Sequence, residues 1–294
     1  MRRTIQQIAP KGTIAKMQGT TSSLASAMAS APSGFICKFA ALLLIGFSVF
    51  FSTGTIAQQL PKGNWDMFDV DILGNMYMCD NHTLIKADIN GKPLANYENN
   101  FLGEIKQIDC FTGLKLLVFH NQSNTLVLLD KNLAPLGEAF DLNSAELYSV
   151  GAACLNSRDQ IWVADMQQKQ LLLFDNKMNT LEQGAVFGRY TSSNVIRQMV
   201  FRGGVLKLIT DDNEILLFDQ FGTFMSKHSF KELKHPFFSH RDILFSDGSQ
   251  HLRFLHASLE TDTIIPQTQS DNMLIESKNQ LYLISGNSIK KLNK

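Results

Sequence analysis

The sequence predicts an all-β protein, because an apolar run that is closed by a polar turn returns at nearly constant spacing. Four copies are clear: "HTLIKADINGKPLANY" from His82, "NTLVLLDKNLAPLGEAF" from Asn124, "KQLLLFDNKMNTLEQ" from Lys169 and "NEILLFDQFGTFMSK" from Asn213. Their closing aspartates are 42, 45 and 44 residues apart, and two weaker copies, which end at His256 and Asn293, bring the mean to 41. Short strands at this period are typical of propeller blades, so we expect a six-bladed β-propeller.

Each unit also contains an earlier pair of strands that a tight turn separates, as in "KQIDCFTGLKLLVFH". A unit therefore supplies four antiparallel strands, with a turn signal every 8 to 12 residues. The run "LKLLVF" is apolar at consecutive positions, which indicates burial on both faces of the sheet. The last unit ends after its third strand, so the last blade is either incomplete or closed by an N-terminal segment of about Gln58 to Lys62.

The aspartates that recur at one position of the repeat have a structural explanation. Asp at the first position of a type I turn accepts a hydrogen bond from a backbone amide two residues later, and glycine three residues later tolerates positive φ. Asp88 with Gly91 and Asp219 with Gly222 fit this pattern. We therefore interpret the four aspartates as turn caps and not as a catalytic set: Asp88, Asp130, Asp175 and Asp219.

The runs "TLVLLDKNLAPLG" and "EILLFDQFGTFM" resemble the strand-and-turn signature of NHL-like six-bladed β-propellers of the bacterial cell envelope. The resemblance covers residues 65 to 294. Propellers of this kind serve as binding modules and scaffolds and, in some branches, as lyases or hydrolases. The resemblance therefore implies a fold and leaves the function open.

The first 57 residues predict an export signal. They contain five basic residues and no acidic one, and an apolar run at 39–51 is followed by small residues at Thr55 and Ala57. We expect cleavage before Gln58, which divides the chain into a leader at 1–57 and a propeller domain at 58–294. The alternative is an uncleaved anchor, but a run of 13 residues falls short of the roughly 20 that a spanning helix needs.

The charge beyond the leader limits the class of partner. Beyond the leader, 22 basic and 27 acidic residues give a net charge of −5, which argues against nucleic acid.

Three cysteines remain beyond the leader, Cys79, Cys110 and Cys154, all inside predicted strands. An exported disulfide scaffold has more cysteines and an even number of them, so we expect buried thiols with at most one bridge.

The innermost strand of each blade lines a central channel, and a mixed ring of charges is expected there: Asp69, Asp71, Asp109, Arg197, Arg241 and Glu276. Asp69, Asp109 and Glu276 could hold a divalent cation, as in the metal-dependent propeller hydrolases and lactonases that this fold resembles, but arginines on the same rim would oppose it. His235 and His240 lie five residues apart in one segment and point to opposite faces of a strand. We therefore expect no metal site, no cofactor and no catalytic residue.

The predicted function is that of an exported, non-catalytic module that binds another cell-envelope protein. The alternatives are a channel-centred, metal-dependent hydrolase or lyase, and a sensor of a small ligand or glycan. Aromatic and arginine side chains in polar loops predict the docking residues: Phe101, Phe187, Arg189, Tyr190 and Phe238. For the three phenylalanines, the alternative is that they fill gaps between blades.

Overall fold

The computed structural model describes residues 58–255, 257–265 and 272–292. The predicted leader, and the residues His256 and Asn293 that close the weaker repeats, lie outside this part of the chain. In the described part, no helix has the length and apolar character needed to cross a bilayer.

Six antiparallel sheets of four strands each confirm the predicted six-bladed β-propeller. Strands follow one another outward from the channel within each of the first five blades, and the sixth takes its outermost strand from the N-terminal side of the domain. Blade 1 comprises β2 (Met67–Val70), β3 (Met76–Asp80), β4 (Thr83–Ala87) and β5 (Pro93–Glu98); blade 2 comprises β6 (Ile105–Asp109), β7 (Lys115–His120), β8 (Thr125–Asp130) and β9 (Phe140–Asp141). Blade 3 comprises β10 (Val150–Leu155), β11 (Ile161–Asp165), β12 (Gln170–Phe174) and β13 (Thr180–Val186); blade 4 comprises β14 (Ile196–Arg202), β15 (Val205–Thr210), β16 (Glu214–Phe218) and β17 (Phe224–Ser229). Blade 5 comprises β18 (Lys234–Phe238), β19 (Ile243–Ser246), β20 (His251–Leu255) and β21 (Glu260–Ile265); blade 6 comprises β22 (Met273–Ser277), β23 (Gln280–Ser285), β24 (Ser288–Lys291) and β1 (Gln58–Gln59).

The ring closes through a very short strand. Gln58 and Gln59 pair with Ile289 and Ser288, and the N–H of Leu60 donates to the carbonyl of Asn287 at 2.9 Å. Leu60 is buried in the cluster that joins blade 6 to its neighbours. The predicted short closing segment is therefore present, and blade 6 is complete.

The recurring aspartates cap turns, as predicted. In the turn from β4 to β5, Asp88 Oδ1 accepts hydrogen bonds from the N–H groups of Asn90 and Lys92, both at 2.9 Å. The same pair of bonds recurs at Asp130, Asp175 and Asp219. The third residue after each aspartate takes a positive φ, and it is glycine in only two of the four turns: Gly91, Leu133, Met178 and Gly222.

The core lies between the blades. Between blades 3 and 4, for example, Trp162 and Leu171 pack in one cluster with Met199 and Phe218, all fully buried. Both faces of the middle strands are therefore covered, as the unbroken apolar runs predict. The three cysteines are buried free thiols within these interfaces, as expected for small apolar residues: Cys79, Cys110 and Cys154.

All innermost strands run in the same direction along the channel, which distinguishes the two faces of the ring. We call the face where they begin the amino face; it carries the loops 99–104, 142–149, 187–195 and 230–233. We call the face where they end the carboxyl face; it carries the turns 71–75, 110–114, 156–160, 203–204 and 239–242. The glycine pair of "FRGGV" forms the turn at 203–204, as predicted.

Candidate functional site: the central channel and its two mouths

A buried ion-pair triad crosses the channel. Arg202, the last residue of β14, places Nη2 2.9 Å from Oδ1 of Asp109 and 3.6 Å from Oδ2 of Asp69. The three residues come from blades 4, 2 and 1, and each is less than a tenth exposed. Because the two carboxylates share one guanidinium, each of them has a positive charge beside it on the channel axis.

Further contacts hold the triad in place. Asp109 Oδ2 accepts a hydrogen bond from the N–H of Leu155 at 2.8 Å, which links blade 2 to blade 3. The guanidinium of Arg202 lies over the ring of Phe111, 4.3 Å from its centroid, at a distance suited to a cation–π interaction. Arg202 Nη1 also donates to the carbonyl of Phe201 at 3.0 Å.

The electrostatics of the triad follow from burial and proximity. Burial raises the pKa of Asp69; Arg202 opposes this shift, whereas the neighbouring Asp109 adds to it. Burial by itself would lower the pKa of Arg202, but the two carboxylates outweigh it, and this pKa is raised. Burial also raises the pKa of Cys110 well above the usual thiol range, so its thiol stays protonated beside Asp69.

A glutamine adds a second connection across the channel. Gln107 Nε2 donates to the carbonyls of Ala153 and Met199, and Met199 N–H donates back to Gln107 Oε1 at 3.4 Å. These bonds join blade 2 to blades 3 and 4. Gln107 and Asp69 line a cavity on the amino face, whereas Asp109 and Arg202 line one on the carboxyl face, and the two cavities share no lining residue.

The carboxyl cavity has a volume of about 270 Å³ and an apolar lining with polar residues at its rim. Phe111 stacks on His240 with ring centroids 5.7 Å apart and planes 11° apart. Lys115, at the rim, pairs with Asp159 at 2.8 Å. The sensor alternative requires exposed aromatic rings around a mouth, but among Phe111, Phe201 and His240 only His240 is exposed.

The amino cavity has a volume of about 170 Å³ and a more polar lining. Its charged and titratable residues come from four blades: Asp66, Asp69, Lys106, Arg197 and His235. Burial lowers the pKa of Lys106 and of Arg197, the latter against the opposing charge of Asp211. Arg197 is held by two backbone carbonyls, those of Thr210 at 3.0 Å and Leu233 at 2.8 Å.

The predicted ring of channel charges is only partly correct. Asp69 and Asp109 converge, but Glu276 does not join them; its closest basic group is Arg253, at 3.9 Å. Asp71 instead caps its own turn, accepting from the backbone and side chain of Asn75 at 2.8 Å, and also from the hydroxyl of Tyr77. Arg241 is exposed in the turn from β18 to β19, because the inner strand ends before it.

The two histidines of interest end on opposite faces, His235 at the amino cavity and His240 at the carboxyl cavity. Among the residues that the structure describes, no three His, Cys, Asp or Glu side chains are grouped so that they could hold a metal ion. The arginine that opposes a cation is Arg202, and not Arg197 or Arg241 as the sequence suggested.

The predicted docking residues separate into exposed and buried sets. Phe101 is 99% exposed on the amino face, and Arg189 is exposed there as well. Phe187 is fully buried between blades 3 and 4, and Tyr190 stacks on Phe224 with centroids 3.6 Å apart. Phe238 is buried at the carboxyl end of β18, so the expectation that it lies in a polar loop is wrong. The gap-filling alternative applies to Phe187 and Phe238.

The sequence analysis missed the residues that close the channel, Arg202 and Gln107. Both are polar side chains at mainly buried positions of innermost strands, "IRQMVFR" and "IKQID". A buried polar side chain in such a strand needs a hydrogen-bond partner, which can come from another blade. That requirement was the available signal, but it does not say which blade supplies the partner.

Comparison with known proteins supports the fold alone. No protein family profile matches the sequence, and no curated protein matches it. Among solved structures, a streptogramin B lyase has a TM-score of 0.54 at 13% identity, over 81% of this chain and 96% of that chain. The virginiamycin B lyase from Staphylococcus aureus has a TM-score of 0.51 at 11% identity, over 76% and 78% of the two chains. The Neurospora crassa Pan2 WD40 domain has a TM-score of 0.51 at 11% identity, over 75% of each chain. These neighbours include both lyases and a WD40 domain, so they establish a β-propeller and leave the activity open.

Proposed function

We propose that this protein is an exported, non-catalytic β-propeller of the NHL-like kind that binds another protein in the bacterial cell envelope. The observation that carries this proposal is the position of Arg202 between Asp69 and Asp109. A propeller hydrolase or lyase of the metal-dependent type needs axial carboxylates that are free to ligate a cation. Here a permanent cation from the protein itself occupies that position, so the residues do not suit a metal centre.

The rigidity of the channel supports the same proposal. Gln107 and the triad connect blades 1 to 4 across the axis, so that the ring is braced from within. A braced ring presents loops of fixed geometry, which favours docking of a partner. The negative charge of the domain argues against nucleic acid as that partner.

Exposed side chains on the amino face are the proposed contact residues. Phe101 and Arg189 combine exposure with residue types that anchor protein interfaces. Leu114, 66% exposed on the carboxyl face, offers a matched control because it has a comparable apolar area on the opposite side of the ring.

Affinity capture from envelope membranes of the source bacterium tests the proposal. We expect the tagged wild-type protein to retain a defined partner, and Phe101→Ala with Arg189→Ala to lose it while Leu114→Ala retains it. Capture of no defined partner by the wild-type protein would overturn the protein-binding function. Loss of the partner only in Leu114→Ala would instead place docking on the carboxyl face.

A further inference from the structure

Four innermost strands share a β-bulge at the same place, close to the amino face. The pairing register skips one residue in β6, β10 and β14 and two in β18. The residues in these bulges are Lys106, Gly151, Arg197 and the pair His235 and Pro236. A bulge bends its strand and re-aims the side chain of the extra residue, and bulges are common beside binding sites.

The basic residues in these bulges meet at one cavity. Lys106, Arg197 and His235 all line the amino cavity, although they come from blades 2, 4 and 5. His235 holds a left-handed backbone conformation with φ of 47°, and Pro236, which has no N–H to pair, follows it. Three separate strands therefore leave regular pairing at the positions that bring basic side chains to this mouth.

Two of these residues form no ion pair. No carboxylate of the described chain lies within ion-pair distance of Lys106 or Arg197, and the charge of Asp211 acts on Arg197 only from a greater distance. Lys106 is half-buried, and burial lowers its pKa without a compensating acid. The two acceptors of Arg197 are neutral carbonyls, which orient the guanidinium but leave its charge in place. An anion in the cavity would stabilise both cations.

The size and the remaining charges of the cavity restrict that anion. A volume of about 170 Å³ is smaller than the roughly 300 Å³ at which pockets for drug-sized ligands begin. Asp66 lies exposed at the rim, and Asp69, at the inner end, is already engaged with Arg202. These two carboxyl groups oppose a multiply charged group such as phosphate more strongly than a single carboxylate.

We propose that the amino cavity is a binding site for a carboxylate, held by Lys106 and Arg197 beside His235. The carboxylate belongs either to a small organic acid or to an acidic side chain of a peptide. The peptide source rests on the protein-binding function proposed above, whereas the small-acid source does not.

Calorimetric titration of the purified protein tests the proposal with three probes: glutarate, an end-capped peptide that contains glutamates, and the same peptide with glutamines. We expect glutarate or the glutamate peptide to bind, and the glutamine peptide not to bind. Lys106→Gln should weaken binding about tenfold, because it removes one charge-assisted contact. Lys290→Gln, an exposed change on blade 6, should leave binding unchanged.

The probes also separate the two sources. Saturable binding of glutarate supports a small acid, and tighter binding of the glutamate peptide supports an acidic segment of a partner. The proposal is overturned if neither probe binds, if Lys106→Gln binds as well as the wild-type protein, or if inorganic phosphate binds more tightly than both. Because the side chain of Lys106 makes no hydrogen bond or ion pair within the described chain, its replacement should leave the fold intact. A normal melting temperature of the variant checks this. If no probe binds but a partner is still captured from membranes, the carboxylate site is excluded and the proposed protein-binding function is unaffected.

Discussion

Arg202 and Asp109 are 93 residues apart in sequence, yet Arg202 Nη2 and Asp109 Oδ1 lie 2.9 Å apart across the channel. Both side chains are almost completely buried, at 1% and 2% exposure. The contact joins blade 4 to blade 2, and it gives the carboxylate of Asp109 a positively charged partner on the channel axis.

The triad predicts a large loss of stability when its cation is removed. Arg202→Met leaves Asp69 and Asp109 buried without a counter-charge, and we expect the free energy of unfolding to fall by about 3–5 kcal/mol. Arg158→Met is the matched control, because Arg158 is exposed, and it should change stability by no more than about 0.5 kcal/mol. Urea unfolding of the two variants measures the difference; equal midpoints would argue against a buried triad.

The sequence could predict the role of a residue whose partners are its near neighbours in the chain, but not of one whose partner lies in another blade. Asp88 and Asp219 were assigned correctly because a turn cap needs only neighbours within four residues. Arg202 and Gln107 act across the ring, where the partner depends on the geometry of the closed propeller. Lys106 and Arg197 reach the amino cavity through bulges, and a one-residue skip in register reverses the face that strand alternation assigns.

Lys207 predicts a pH dependence of stability. Burial, together with the nearby charge of Arg202, lowers the pKa of Lys207 to about 8, against the opposing effect of Asp242. A base with a depressed pKa in the folded state binds fewer protons folded than unfolded, so its contribution to stability rises with pH from about 8 to 10.5. We expect Lys207→Met to be more stable than the wild-type protein at pH 7, on the order of 2 kcal/mol, with the gap closing toward pH 10.5.

Urea midpoints at half-unit steps from pH 7 to 10.5 measure this convergence. Lys290→Met, at an exposed position on blade 6, should run parallel to the wild-type protein across the whole range. A constant gap between Lys207→Met and the wild-type protein would contradict a depressed pKa at Lys207.

Ring closure predicts different effects at two glycines. Both Gly91 and Gly137 have positive φ, +82° and +85°, but a Cβ on Gly91 would lie 2.5 Å from the carbonyl oxygen of Gln59, whereas one on Gly137 meets nothing within 4 Å. Gly137→Ala should therefore show only backbone strain, about 1–2 kcal/mol, and Gly91→Ala should lose more. Hydrogen exchange of the Leu60 N–H, which bonds Asn287, should accelerate only in Gly91→Ala. Equal exchange rates in the two variants would show that this contact does not hold the closing strand.

The packing of Tyr190 predicts that replacing Tyr190 destabilises the fold, whereas replacing Arg189 does not. Tyr190 stacks on Phe224 and meets Phe218 edge-on, so Tyr190→Ala should cost about 2–4 kcal/mol, and Tyr190→Phe should recover most of it. Arg189→Ala should change stability by less than about 0.5 kcal/mol. The packing therefore gives Tyr190 a structural role, although the sequence predicts it as a docking residue. A Tyr190→Ala variant as stable as Arg189→Ala would contradict that role.

Titration with divalent cations shows whether Arg202 prevents the axial carboxylates from binding a metal ion. Calorimetry with Ca²⁺, Mg²⁺ and Mn²⁺ should show no saturable binding to the wild-type protein, because Arg202 already satisfies the axial carboxylates. Asp69→Asn and Asp109→Asn should give the same flat titrations. Saturable one-to-one binding to the wild-type protein that either substitution abolishes would show that Arg202 does not exclude a cation. The metal-dependent hydrolase or lyase would then be the better description of the channel.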